Sequence, residues 1–264
     1  MSVTLLGVPY DAASSYRRGP ASAPARIREA LCSDATNGWT ELLVDTRAPG
    51  VMRDAGDVAI DEQGDVVRQI DEAATRVVGA DTRPIFLGGD HSISYPLVRA
   101  VRRRFPRLTI VHFDAHPDLY DELDGNRHSH ACPFARIMEA GLADRLVQMG
   151  IRTMNAHQRA QAERFGVEVS PMRDWVDGRA WRFEGPCYVT VDLDVLDPAF
   201  APGVSHHEPG GLSVRQLLTV IQNMDADIVA ADVVEYNPAL DPGGITSWVA
   251  AKIVRELAGR MVER

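Results

Sequence analysis

Short apolar runs of strand length punctuate the chain: Val3 to Val8, Pro84 to Leu87, Leu108 to Phe113, Leu146 to Ile151, Cys187 to Val191 and Ile228 to Val234. They are continuous instead of alternating, the pattern of strands buried on both faces. Segments of helical period follow most of them, at Ala25 to Leu31, Ile93 to Arg104, Ala156 to Phe165, Val214 to Met224 and Ile245 to Leu257. Val66, Val67, Ile70, Ala73, Ala74, Val77 and Val78 mark one more amphipathic helix whose apolar stripe reads as packing. Ser213, just before Val214, reads as a helix N-cap. Strands alternating with helices predict a three-layer α/β/α fold with a mostly parallel central sheet. No composition shift suggests a boundary, so a single domain over 1–264 is expected.

Long loops rich in Gly, Pro and Asp interrupt this pattern at Pro9 to Pro24, His116 to Pro133, Asp197 to Gly211 and Asn237 to Gly244. Loops of such length in a compact domain usually carry function.

The bulk composition narrows the classes. The 264 residues are 45% hydrophobic and 25% charged, with a net charge of −9. That length supports one sizeable core. The acidic balance disfavours nucleic acid, which needs a positive footprint, and attracts small cations. Arg102-Arg103-Arg104 at a helix end reads as a solvated face. No run of about 18 apolar residues suggests a membrane span, and no basic-then-apolar leader is evident, so a cytoplasmic location is expected. Cys32, Cys132 and Cys187 are widely spaced and odd in number, as structural thiols would be.

The chemistry lies at strand ends. Phe113-Asp114-Ala115-His116-Pro117-Asp118 sets three ligand-type side chains at alternate positions, so that in an extended chain all three point one way. Crowded carboxylates and an imidazole repel and desolvate one another unless a cation lies between them. Three other strands run into similar groups: Gly88-Gly89-Asp90-His91-Ser92, Asp192-Leu193-Asp194 and Glu235. In an open parallel sheet such ends meet in one crevice. Two imidazoles and four aspartates without a thiolate suit a hard or borderline divalent ion, and they exceed what one ion needs. The expected site therefore holds two ions about 3.5–4 Å apart with a bridging hydroxide. Mn²⁺ fits the oxygen-rich set best, with Ni²⁺, Co²⁺ or Zn²⁺ as alternatives.

These signatures, together with Val191 to Pro198, resemble the arginase and agmatinase superfamily of ureohydrolases, and the likeness covers nearly the whole chain. The combination of segments Gly125 to Ala131, Phe134 to Glu139 and Ala201 to Gly211 is most similar to plant-type arginases and their bacterial relatives. The resemblance implies that His91, Asp114, Asp118 and Asp192 hold one ion, and that Asp114, His116, Asp192 and Asp194 hold the other. It further implies that Asp118 orients the hydroxide, Glu235 grips the guanidinium of a small cationic substrate, and His130 shuttles protons. A carboxylate accepts the planar N–H fork of a guanidinium in bidentate fashion, which suits Glu235 independently. The implied reaction is hydroxide attack on the guanidinium carbon, turning L-arginine into L-ornithine and urea; agmatine or another ω-guanidino compound is the alternative substrate. A homotrimer or hexamer is implied as well.

Other histidines read differently. His112 reads as core, His157 as helix surface, and Asp90 as a group that orients His91 or its turn. His128 rivals His130 as the shuttle, while His206 and His207 stand on a loop that lines the pocket mouth. Two rival functions remain: a dinuclear phosphoesterase, which would need cations where Glu235 stands, and an inactive metal-binding scaffold.

Overall fold

All the expected strands and helices form in a computed structural model describing residues 1–79 and 81–263. The strands are β1 (Ser2–Gly7), β2 (Met52–Asp57), β3 (Thr82–Leu87), β4 (Thr109–Phe113), β5 (Arg145–Ile151), β6 (Glu168–Pro171), β7 (Arg182–Asp192) and β8 (Asp225–Val234). The helices are α1 (Ala23–Cys32), α2 (Val66–Val77), α3 (Ser94–Arg104), α4 (Pro133–Glu139), α5 (Ala156–Phe165), α6 (Val214–Asn223) and α7 (Ile245–Val262). Every strand pairing is parallel, in the order β2-β1-β3-β8-β7-β4-β5-β6.

Alternation along each central strand feeds two cores. Ile85, Leu87, Val111, Phe113, Val189 and Val191 face one side, where they pack with Ile27 of α1, Leu217 of α6 and Ile253 of α7. Phe86, Ile110, Tyr188 and Val229 face the other, with Ile70 of α2, Leu97 of α3 and Phe134 of α4. Fully burying a side chain such as Phe86 or Phe113 contributes about 1.5–3 kcal/mol. The layers thus follow from the period of two in the strands and 3.6 in the helices. Ser213 caps α6 as expected, its Oγ accepting from Gln216 N at 3.2 Å.

Three elements were not expected. Edge strand β2, Met-Arg-Asp-Ala-Gly-Asp, has no apolar run because it is largely exposed. Edge strand β6 is four residues long and only partly buried, and α4 is a seven-residue helix started by Pro133. The arginine triplet ends α3 with Arg103 and Arg104 exposed, as expected, and two of its members make ion pairs. Arg103 pairs with the buried Asp71 of α2 at 2.7 Å and Arg102 pairs with Asp144. Among the described residues, no helix is long and apolar enough to cross a membrane.

Register brings the site together. Leu87, Val233, Val191 and Phe113 lie side by side on the four adjacent strands β3, β8, β7 and β4. The residues that follow therefore leave the sheet at one level. The turn after β3 must pass very close to its neighbours: a Cβ on Gly89 would lie 1.7 Å from the carbonyl oxygen of Tyr10, and one on Gly88 2.9 Å from that of Val233. Gly89 also accepts from Glu235 N at 2.9 Å, so this turn sets two site residues at once. Gly89→Ala is expected to cost about 1–3 kcal/mol as overpacking and to lower the melting temperature by several degrees. A thermal melt matching the parent would mean that the Tyr10 loop yields freely.

Candidate metal centre

The side chains at the end of β4 set the geometry. Asp114 continues the strand, its Oδ1 accepting from His116 N at 2.6 Å. Asp118 takes a left-handed backbone, φ 50°, as does Glu235 after β8, φ 63°. Non-glycine residues seldom adopt this region, at a cost of about 1–3 kcal/mol each, and such strain gathers at functional sites. Here it turns two carboxylates inward. Across the sheet, Asp192 caps the single 3₁₀ turn Leu193–Val195 that follows β7 and contains Asp194, whose N donates to Asp192 Oδ1 at 2.8 Å.

His91 is the centre of one cluster. It is fully buried, and its Nδ1 lies 3.2 Å from Asp114 Oδ2, 3.1 Å from Asp118 Oδ2 and 3.1 Å from Asp192 Oδ2. None of these approaches is aligned as a hydrogen bond, so this buried nitrogen has no hydrogen-bond partner. Its Nε2 meets Thr190 Oγ1 at 3.0 Å; with that nitrogen protonated, the lone pair at Nδ1 faces the three oxygens. Octahedral ligands about 2.1 Å from an ion sit about 3.0 Å from one another, so the four atoms match corners around a shared cation. The residues present fit a metal.

A second cluster adjoins the first. His116 Nδ1 lies 3.0 Å from Asp194 Oδ2 and 3.4 Å from Asp114 Oδ1. Asp114 therefore serves both, one oxygen to each. Asp192 offers Oδ2 to the His91 cluster, while its Oδ1 is held by the backbone of Asp194.

Titration follows this crowding. Burial, then the charges of Asp194 and Asp114, push Asp192 well above the usual carboxylate range. Burial raises Asp194 to about 6, against the pull of His116. Burial disfavours charge on His91 and His116, yet their carboxylate neighbours lift both far above ordinary imidazoles. The protein alone thus holds protons where positive charge belongs.

Several neighbours had no sequence signal. His112 is buried as expected, but its Nε2 donates to Asp114 Oδ2 at 2.7 Å because Gln148 Nε2 donates to its Nδ1 at 3.0 Å. Gln148 is anchored on Pro117 O at 2.6 Å, which fixes the chain Gln148–His112–Asp114. Ser15 Oγ lies 2.9 Å from His130 Nε2, and Arg152 donates to the carbonyls of Val195 and Glu208, fastening the loop after β7. Only strand register and loop folding bring these partners into reach.

The flagged residues divide clearly. His130 is buried, with Nδ1 3.1 Å from Glu235 Oε1, which also accepts from His91 N at 2.9 Å. His128 is exposed beside Tyr95 and does not line the pocket. His206 stacks on His130 with centroids 5.0 Å apart, whereas His207 is exposed and bonds Pro202 O at 2.8 Å. His157 lies exposed on α5, stacked with Tyr120. Asp90 ties the turn to the Asp11–Ser15 loop, accepting from Ala13 N at 3.0 Å and Ser92 N at 3.1 Å.

Beside the clusters opens a cavity of about 190 Å³, lined by His116, Asp118, His130, Asp192, His206 and Glu235 among others. Carboxylates at its floor and a volume fit for a short side chain define a metal-dependent hydrolase for a small cationic substrate. The sequence pattern of the Arginase family matches residues 1–259. Arginase 1, mitochondrial, of Arabidopsis thaliana is 49% identical over 98% of this chain and 81% of its own length. The agmatinase of Bacillus cereus is 33% identical, over 97% of this chain and 90% of its own. The solved arginase of Medicago truncatula superposes with a TM-score of 0.93 at 48% identity, covering 98% of this chain and 87% of that one. The chain belongs to the arginase family, and it is a binuclear-metal guanidino hydrolase acting on C–N bonds.

The cytoplasmic expectation does not stand. The Arabidopsis enzyme and its Medicago and rice counterparts are named as mitochondrial. Composition describes a folded domain, not its address.

His112→Phe keeps the ring stacked on Phe134, 3.9 Å away, but removes the N–H that holds Asp114. Ion retention is expected to fall about 10–100-fold, read as metal content after dialysis against a chelator. Parent-like retention would show that Asp114 needs no such partner.

Proposed function

We propose that this chain hydrolyses L-arginine to L-ornithine and urea with a pair of Mn²⁺ ions. His91, Asp114, Asp118 and Asp192 would hold one ion; Asp114, His116, Asp192 and Asp194 would hold the other. When bound, such a pair brings the pKa of water toward about 7 and makes hydroxide available at neutral pH.

The remaining work falls to the chain's own residues. Glu235 is buried and held by His91 N–H, which leaves Oε2 without a hydrogen-bond partner among the described residues. An incoming guanidinium donates to this carboxylate, and Asp118 orients the attacking water by accepting its hydrogen bond. Burial opposes a charge on His130, but Glu235 raises it to about 9, so Nδ1 carries a proton at neutral pH. Seating the guanidinium on Glu235 removes that support and makes His130 a stronger acid beside the departing amine. Ser15 at Nε2 holds the ring as its proton leaves.

The observation that carries this reading is a buried carboxylate at the floor of a pocket whose lining includes no Lys or Arg. Phosphate would find no cationic side chain there, which disfavours the phosphoesterase. The assembled ligands likewise leave no missing part for an inactive scaffold. Arginine is preferred to agmatine because the plant arginases are nearer in sequence than the agmatinase. Tyr120, Thr153 and Gln158 line the same pocket and offer neutral polar groups to an amino-acid end. A homotrimer or a hexamer of two trimers is proposed on the resemblance alone.

With Mn²⁺ loaded, kcat/KM for arginine is expected to exceed that for agmatine at least a hundredfold. The reverse order would make the chain an agmatinase.

His130 also sets an expected pH limit. Its raised pKa means that the proton is present below about 9 and lost as pH climbs through that value. The kcat/KM profile should fall above about pH 9, and His130→Asn should lower the plateau and abolish this limb. A limb that survives in the variant would assign the proton elsewhere.

A further inference from the structure

We propose that Arg152, Arg159 and Arg173 form an anion site at the carboxyl ends of β5 and β6, apart from the metal centre, for a small organic dicarboxylate. The three guanidinium groups line a cavity of about 390 Å³ whose lining includes no Asp or Glu. That gathering runs against the net charge of −9, which otherwise repels anions. The ladder between β5 and β6 shifts register between Met149 and Ile151, where Gly150 takes φ 92°. Such a bulge bends its strand. The cavity lies just past it, with Ile151 and Pro171, the last pair of the ladder, in its wall.

Arg152 is partly buried and spends its donors on the backbone, Nε on Glu208 O at 2.9 Å and Nη1 on Val195 O at 3.2 Å, with Nη2 reaching Asp194 O. It makes no ion pair among the described residues. The carboxyl of Asp197 is held below its usual range first by the N–H groups of Ala199 and Gly210, at 2.9 and 2.7 Å, and only last by Arg152. A partly buried cation fastened to carbonyls is short of a counter-charge. Arg159, in the first turn of α5, makes no side-chain hydrogen bond or ion pair among the described residues, and Arg173 meets its exposed neighbour Asp174 at 3.5 Å. A planar guanidinium donates to a carboxylate in bidentate fashion, so these two unengaged forks suit two carboxylates. Met154 and Val169 add to the apolar wall and receive the carbon chain between them, which a bare inorganic anion would not use. The bound dianion supplies the charge that Arg152 lacks and steadies its grip on the loop after β7.

The test measures succinate binding to the Mn²⁺-loaded enzyme by calorimetry, with butyrate and sulfate for comparison. Succinate is expected to bind at least tenfold tighter than either, and to raise the melting temperature by several degrees at a hundredfold excess over Kd. Arg159→Gln and Arg173→Gln should each weaken binding at least tenfold while leaving the succinate-free rate on arginine unchanged. Arg159→Lys, which keeps the charge without the fork, should recover only part of the affinity. Parent-like binding by both glutamine variants, or displacement of succinate by the guanidino substrate, would move the anion to the metal centre and overturn the site. Sulfate bound as tightly as succinate would overturn the choice of a dicarboxylate. Failure of all three anions to bind would also overturn the site, and a lower assembled mass of Arg159→Gln on gel filtration would then assign these arginines to contact with a second copy of the chain.

Discussion

Four aspartates and two histidines meet where water has been largely excluded, and their mutual repulsion is the constraint that the rest of this molecule answers. At full ionisation the aspartates carry four negative charges, which two divalent ions balance. Without such ions the protein must protonate the cluster, as the upward shifts of Asp192 and Asp194 show. Burying an unpaired charge costs several kcal/mol, comparable to the stability margin of a whole domain. A metal pair is therefore as much a condition of this packing as a device for catalysis.

The sheet meets that constraint by register. Leu87, Val233, Val191 and Phe113 stand in one row, so four strands deliver their next residues at one height. A one-residue slip in any of them would turn its ligand to the opposite face. The fully buried phenylalanines and valines below the site resist such a slip, because it would also move apolar side chains between the two cores. Core packing and ligand geometry are thus the same structural fact seen from two levels.

This explains what could be read along the chain. Central strands are buried on both sides and announce themselves as apolar runs, and those are the strands that carry Asp114, Asp192, His91 and Glu235. The edge strands β2 and β6 have solvent on part of their surface and lack the pattern, yet they hold none of these residues. Contacts between distant loops were not legible. His112 looked like core because it is core; its role toward Asp114 depends on Gln148, which only the pairing of β4 with β5 brings alongside. Ser15 is 115 residues from His130, and no local period links them.

Backbone strain completes the division between folding and function. Asp118 and Glu235 pay for their left-handed conformations with packing elsewhere, since neither gains anything as a fold element from φ near 50–63°. What each gains is direction. Phe134 N donates to Asp118 O at 3.2 Å, so the start of α4 holds the strained turn, while Gly89 O holds Glu235 from the other side. The anchors come from elements that pack against the cores, not from the mobile ends of side chains. Rigid support of this kind suits a site that must keep several carboxylates aimed at one point while a small substrate enters and leaves.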